Sequence, residues 1–146
     1  MREILFKAKR IDNGEWVEGS LIDLDIDSGY CYIVPPYKKA SILPINFLIT
    51  DRMKLVDPET LCQFTGLCDK NGKKIWENDI LMAHLDESYP EDATYETVEW
   101  GVAGWVTHEA NSADRQYLDE FDLEHFEVVG NIFDNKELLQ ERSTNE

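Results

Sequence analysis

The sequence predicts a mostly-β protein, made of small β-barrel-like lobes of short antiparallel strands with a short C-terminal helix. Three observations carry this. Short runs alternate apolar and polar residues with a period of two, the pattern of a half-buried strand. These runs are separated by Gly, Asn, Asp and Pro clusters that turn the chain. A helical pattern with a cap signal occurs near the C-terminus, at Asn135 to Arg142. With 42% hydrophobic and 11% aromatic residues, the 146-residue chain has enough apolar material to bury a core.

Taken in order, Glu3 to Arg10 alternates, with Ile4, Phe6 and Ala8 on one face. Asp12-Asn13-Gly14 supplies residues that tolerate positive φ, the chemistry of a tight hairpin. Glu15 to Ile22 is the return strand, anchored by Trp16. Tyr30 to Val34 is a third strand, stopped by Pro35-Pro36. Ser41 to Leu55 reads as a strand broken by a bend at Pro44 and Asp51. Asp57-Pro58 begins a turn, and Thr60 to Leu67 is extended as far as Gly66. Asp69-Lys70-Asn71-Gly72 is the clearest turn in the chain and leads into Lys74-Ile75-Trp76 and a strand starting at Asp79.

Leu85 to Ala93 reads as a long acidic loop. Thr94 to Trp100 alternates, with Val98 and Trp100 on one face and Tyr95 on the other. Gly101 and Gly104 bracket a turn into Trp105-Val106-Thr107, and Glu109 to Arg115 is a second polar loop. His125 to Val129 is the last strand, ended by Gly130-Asn131. Asp134 and Glu137 have capping-box spacing at the head of the terminal helix. The expected layout is an N-terminal β lobe over 1–56, a barrel-like lobe with the terminal helix over 57–142, and a frayed tail over 143–146.

The charge is strong and unevenly spread. The chain carries a net −16. Residues 81–130 hold 13 acids and one base, Arg115, a net of −12, while residues 1–80 hold 13 acids and 11 bases, a net of −2. Direct binding of nucleic acid rests on Lys and Arg displacing counterions, so it is disfavoured, and so is an anionic membrane surface. A basic protein partner is favoured instead. The candidate partner-binding surface is Asp86, Glu87, Glu91, Asp92, Glu96 and Glu99. The bland alternative is a solvated acidic face that aids solubility.

Candidate chemistry is sparse. Cys31, Cys62 and Cys68 contain no CxxC pair, so inert thiols in a reducing compartment are expected rather than a zinc site with His84, His108 or His125. Asp23-Leu24-Asp25-Ile26-Asp27 lacks the Gly and Glu of a calcium loop, having Ser28 and Val34 there. Glu120 and Asp122 near His125 are carboxylates that so acidic a chain places together by chance. There is no G-x-S-x-G elbow, S-x-x-K motif or phosphate cradle. No catalytic residue, metal site or cofactor is therefore expected. The four tryptophans are expected mostly in the core. The N-terminus MREILFKAKR has no apolar core of a signal peptide, and the apolar stretch Ile42 to Ile49 is too short to span a bilayer. A cytoplasmic location in a bacterial host cell is expected.

The run from Gln63 to Leu81, Gln63-Phe64-Thr65-Gly66-Leu67-Cys68-Asp69-Lys70-Asn71-Gly72-Lys73-Lys74-Ile75-Trp76-Glu77-Asn78-Asp79-Ile80-Leu81, resembles the central signature of the YopX family of phage and prophage proteins. Met1 to Ala8, Val128 to Phe133 and Glu137-Leu138-Leu139 fit the same family. Asn78 stands where relatives usually have Gly, and Asn is the next best residue at positive φ. Lys9 and Lys136 replace a common Trp and Pro. The resemblance implies a mostly-β fold and a phage or prophage origin, and it carries over no catalytic residue. Its signature reads as architectural: Gly66, Asn71, Gly72 and Asn78 turn the backbone, while Ile75, Trp76 and Ile80 feed the core. The leading functional expectation is a non-enzymatic accessory protein that binds another protein or assembles with itself. The alternatives are an acidic DNA mimic that blocks a host nucleic-acid-binding protein, and a carboxylate- or metal-dependent enzyme.

Overall fold

The computed structural model describes residues 3–25, 29–36, 52–84 and 93–139. Eleven strands run through these residues, with short helical turns between some of them. Their contacts separate two units, Met1–Phe64 and Thr65–Glu146. The division falls after Phe64 rather than at the Asp57-Pro58 seam, because residues 57–64 are tied back to the first strand. Asp57 N–H donates to the Lys9 carbonyl at 2.8 Å, and Phe64 N–H donates to the Leu5 carbonyl at 2.9 Å.

The first unit holds β1 (Phe6–Lys9), β2 (Trp16–Asp25), β3 (Tyr30–Val34) and β4 (Lys54–Val56). All pair antiparallel, in the order β4-β3-β2-β1, and the start of β5 (Cys62–Cys68) pairs with β1 on its free side. The β1–β2 hairpin forms at the predicted turn, with Gly14 at φ +74°. Asp57 and Pro58 open one 3-10 turn (Pro58–Thr60), capped when the Asp57 carboxylate accepts from Glu59 N–H at 3.0 Å. Ala8, Cys31, Ile33 and Val56 form the core of this unit. Burial pushes the Cys31 thiol up, and the charges of Asp23 and Asp57 add to it, which fits an inert buried thiol. The expected strand at Ser41 to Leu55 lies largely outside the described residues, as do Ile26 and Asp27.

In the second unit β5 runs on beside β6 (Lys74–Trp76). A five-stranded antiparallel sheet follows, made of β7 (Asp79–His84), β8 (Ala93–Trp100), β9 (Trp105–Glu109), β10 (Gln116–Tyr117) and β11 (Glu127–Asn131) in the order β10-β9-β8-β7-β11. Among the described residues this sheet is open, with β10 and β11 at its edges. Ile75, Leu81, Val98, Leu118, Phe126 and Val128 form its core, with Trp105 packed against them.

The signature run builds two turns here. Asp69 is 6% exposed and is the hub of the first. Its Oδ1 accepts from the N–H groups of Asn71 and Lys73, each at 2.9 Å. Its Oδ2 accepts from Val128 N–H on β11 at 2.9 Å. Gly72 closes the turn at φ +81°, a conformation that costs an L side chain about 1–2 kcal/mol. The chain turns from β6 into β7 at Asn78, φ +71°, as expected of Asn standing in for Gly. There Trp76 N–H donates to the buried Asp79 carboxylate at 2.8 Å. Ile75, Trp76 and Ile80 are all buried, as the signature predicts.

Two elements were not expected: the edge strand β10, and a short helix α1 (Glu120–Leu123). The Asp119 carboxylate caps that helix by accepting from Asp122 N–H at 3.0 Å. At the C-terminus residues 137–139 are helical; Asn135 and Lys136 of the predicted helix stand before it, and residues 140–142 lie outside the described residues.

Candidate docking surface at one end of the second unit

Of the acids singled out in the sequence, Asp86, Glu87, Glu91 and Asp92 lie outside the described residues. Glu96 and Glu99 are both on β8. They are three residues apart on one strand, so they face opposite sides of the sheet.

Glu96 lies on the side of Val98 and is half-buried. It accepts a hydrogen bond from the Thr107 hydroxyl at 3.0 Å. Its direct cross-strand partner is Glu109. Burial pushes the Glu96 carboxyl above its ordinary range; the Thr107 bond pulls it back, and the charges of Glu109 and Asp122 push it further up. A cleft of about 310 Å³ opens beside this pair, lined also by Thr94, His108 and Ser112.

Glu99 lies on the other side and is engaged by two basic side chains. Arg115 Nε donates to its Oε1, and His108 Nε2 stands 3.4 Å from its Oε2. The Arg115 guanidinium also donates to the carbonyls of Ser112 at 2.8 Å and Asp114 at 3.3 Å. Arg115 thereby holds the loop between β9 and β10, which turns at Asn111, φ +66°.

The turn of the β8–β9 hairpin follows Trp100, next to Glu99 in the chain and at the other end of β9 from the β9–β10 loop. Trp100 and Trp105 are the closing pair, with rings T-shaped at 4.9 Å between centroids and 74° between planes. Gly101 N–H donates to the Gly104 carbonyl at 2.7 Å. A Cβ on Gly101 would stand 2.9 Å from a Val106 methyl, so the backbone passes too close there for a side chain. The Tyr117 ring lies over Gly104, within 3.6 Å of where a Cβ would be.

This end is conspicuously apolar and open. Trp100 is 59% exposed, Val102 fully exposed at 103%, and Tyr117 58% exposed. Trp76 is buried, and Trp105 is half-buried against the core. Trp16, in the first unit, is half-buried with Lys7 and Lys9 over its ring at 4.8 and 5.5 Å. Trp76 and Trp105 thus take the core placement expected of the tryptophans, while Trp100 is exposed and Trp16 lies outside the core cluster of its unit. The alternation in β8 assigns Trp100 correctly to the face of Val98, but the strand ends there and the core does not reach it.

The other sequence candidates have structural surroundings. Asp122 sits in the first turn of α1; burial pushes its carboxyl up, and neighbouring Asp119 adds to this. Cys31 and Cys62 are buried and Cys68 is exposed. Among the described residues no group of three His, Cys, Asp or Glu side chains could hold a metal ion, and no helix is long and apolar enough to cross a membrane.

These features define a class: a two-unit antiparallel β protein whose second unit presents an apolar hairpin end in acidic surroundings. The family model for YopX protein matches residues 5–140, and the chain belongs to the YopX family. The resemblance carried by Gln63 to Leu81 is borne out. No curated protein matches the chain. A crystal structure of protein EF1440 from Enterococcus faecalis has the same fold, with a TM-score of 0.61 and 24% identity over 95% of this chain and 99% of that one.

Proposed function

We propose that this protein is a non-enzymatic accessory module of a phage or prophage that acts in the bacterial host cytoplasm by binding another protein. The observation that supports it best is the apolar end of the β8–β9 hairpin. Trp100 and Val102 stand open to solvent at the tip of the hairpin, Trp100 on the face of Val98; Tyr117, also exposed, lies opposite Val106 on the other face. Isolated exposed apolar residues are ordinary on a protein surface; an exposed Trp followed two residues on by a fully exposed Val at a hairpin tip supports an interaction site there. Aromatic residues there supply large contact area at low entropic cost, which is why they dominate the energetics of interfaces.

Its own closing contacts make this end rigid. The Trp100–Trp105 pair closes the hairpin, and Gly101 N–H donates to the Gly104 carbonyl at 2.7 Å. A partner therefore meets a pre-ordered surface and loses less entropy on docking. The acidity of residues 81–130 weighs against nucleic acid and anionic lipid as the bound species.

Affinity capture from a bacterial host lysate tests this reading, with the native chain and the Trp100→Ser/Val102→Ser chain side by side. The expected result is a protein retained by the native chain and lost by the variant. An identical set of proteins retained by both would refute docking through this end.

A further inference from the structure

Resting on the docking surface just proposed, we infer that its occupant is a cationic segment of another protein. That segment sets an apolar side chain against Trp100 and Val102 and places Lys or Arg beside the surrounding carboxylates.

The apolar end alone would accept many partners, and charge decides among them. Residues 81–130 carry 13 acids against one base. That base, Arg115, is already engaged by Glu99 and by the Ser112 and Asp114 carbonyls. Glu109, Asp114 and Asp119 are exposed on β9 and the segments flanking β10. The four turn residues, Gly101 to Gly104, include no charge of either sign. Asp119, exposed, follows Leu118, whose N–H donates to the Trp105 carbonyl, and Glu99 precedes Trp100, so the apolar tip lies within the strongly acidic stretch of the chain.

A second copy of this chain would bring a further −16 against it, which opposes self-association through this end. A cationic segment instead gains twice. The field draws it in over about a Debye length, roughly 8 Å at physiological salt. At contact, its apolar side chain covers Val102 and its guanidinium groups stack on an open indole while donating to carboxylates. Arg suits this better than Lys, because its planar face and its N–H edge can serve both neighbours at once.

Three labelled peptides of equal length test the inference on the full chain by fluorescence anisotropy. The first alternates Arg and Leu, the second has Gly in place of Leu, and the third has Glu in place of Arg. The Arg–Leu peptide is expected to bind about tenfold or more tightly than either control, and to weaken about tenfold between roughly 0.15 M and 1 M salt. The Trp100→Ser/Val102→Ser chain is expected to lose its preference for Arg–Leu over Arg–Gly.

If the Glu–Leu peptide binds as tightly as Arg–Leu and the variant loses both, the cationic occupant is wrong while the docking surface stands. If native and variant chains bind Arg–Leu equally, the docking surface itself fails. Binding of none of the peptides overturns the cationic occupant. So does sedimentation showing a native dimer that the variant cannot form, since a second copy would then occupy the end.

Discussion

Asp69 and Glu96, two carboxylates of the second unit, meet opposite surroundings. Asp69 is buried and takes three backbone N–H donors, two within its own turn and one from β11. Burial pushes its carboxyl up, but the bonds from Val128, Lys73 and Asn71 outweigh that and hold it below the ordinary range. Glu96 takes one hydroxyl and faces Glu109 directly across the ladder. Its carboxyl is driven above the ordinary range. The first acid fastens the fold; the second strains it.

The comparison can be broken at either pole, and the largest effect belongs to Asp69. Asp69→Ala leaves three N–H groups without their acceptor and is expected to cost about 3–5 kcal/mol, read from the urea midpoint. A cost below about 1 kcal/mol would remove Asp69 from its fastening role. The same residue has a pH signature. Its folded pKa is depressed, so its contribution is present above the ordinary Asp pKa of about 3.9 and is lost as pH falls through the lower folded value. The Asp69→Asn chain should lack that acid-dependent component.

Next comes the turn that Asp69 organises. A Cβ on Gly72 would meet open space, so Gly72→Ala carries only the backbone cost of φ +81°, about 1 kcal/mol. Glu96→Gln reverses the sign. Removing the charge facing Glu109 should stabilise by about 0.5 kcal/mol near neutral pH. Because the folded pKa of Glu96 is raised, that gain should fade as pH falls through it and Glu96 becomes protonated in the native chain. A loss of stability in Glu96→Gln at neutral pH would show that Glu96 is a fastener too. Smallest is Val102→Ser, which should leave stability within about 0.5 kcal/mol, since Val102 is fully exposed.

The turns of the signature run were legible because their chemistry is local. Gly72 and Asn78 at positive φ follow from residue type alone. Tyr30–Val34 and Lys74–Trp76 match their predicted bounds because Pro35 and the Asp69 turn punctuate them. The reach of Asp69 was not legible: its Val128 donor lies 59 residues away, and no local pattern announces so distant a pairing. Two-residue β10 is too short to show alternation. The Asp119 cap of α1 was hidden in an acidic stretch where Asp has many readings. The docking end was half legible. Alternation assigns Trp100 its face, but exposure depends on where the core stops, which is a property of the packed unit.

The most direct test of docking through the β8–β9 end is the affinity of the Arg–Leu peptide for the Trp100→Ser/Val102→Ser chain, once its urea midpoint shows that it is folded. The expected stability loss is about 1 kcal/mol, from the broken Trp100–Trp105 contact. The expected affinity loss is about tenfold or more. A folded variant that binds the peptide as tightly as the native chain would contradict docking at this end.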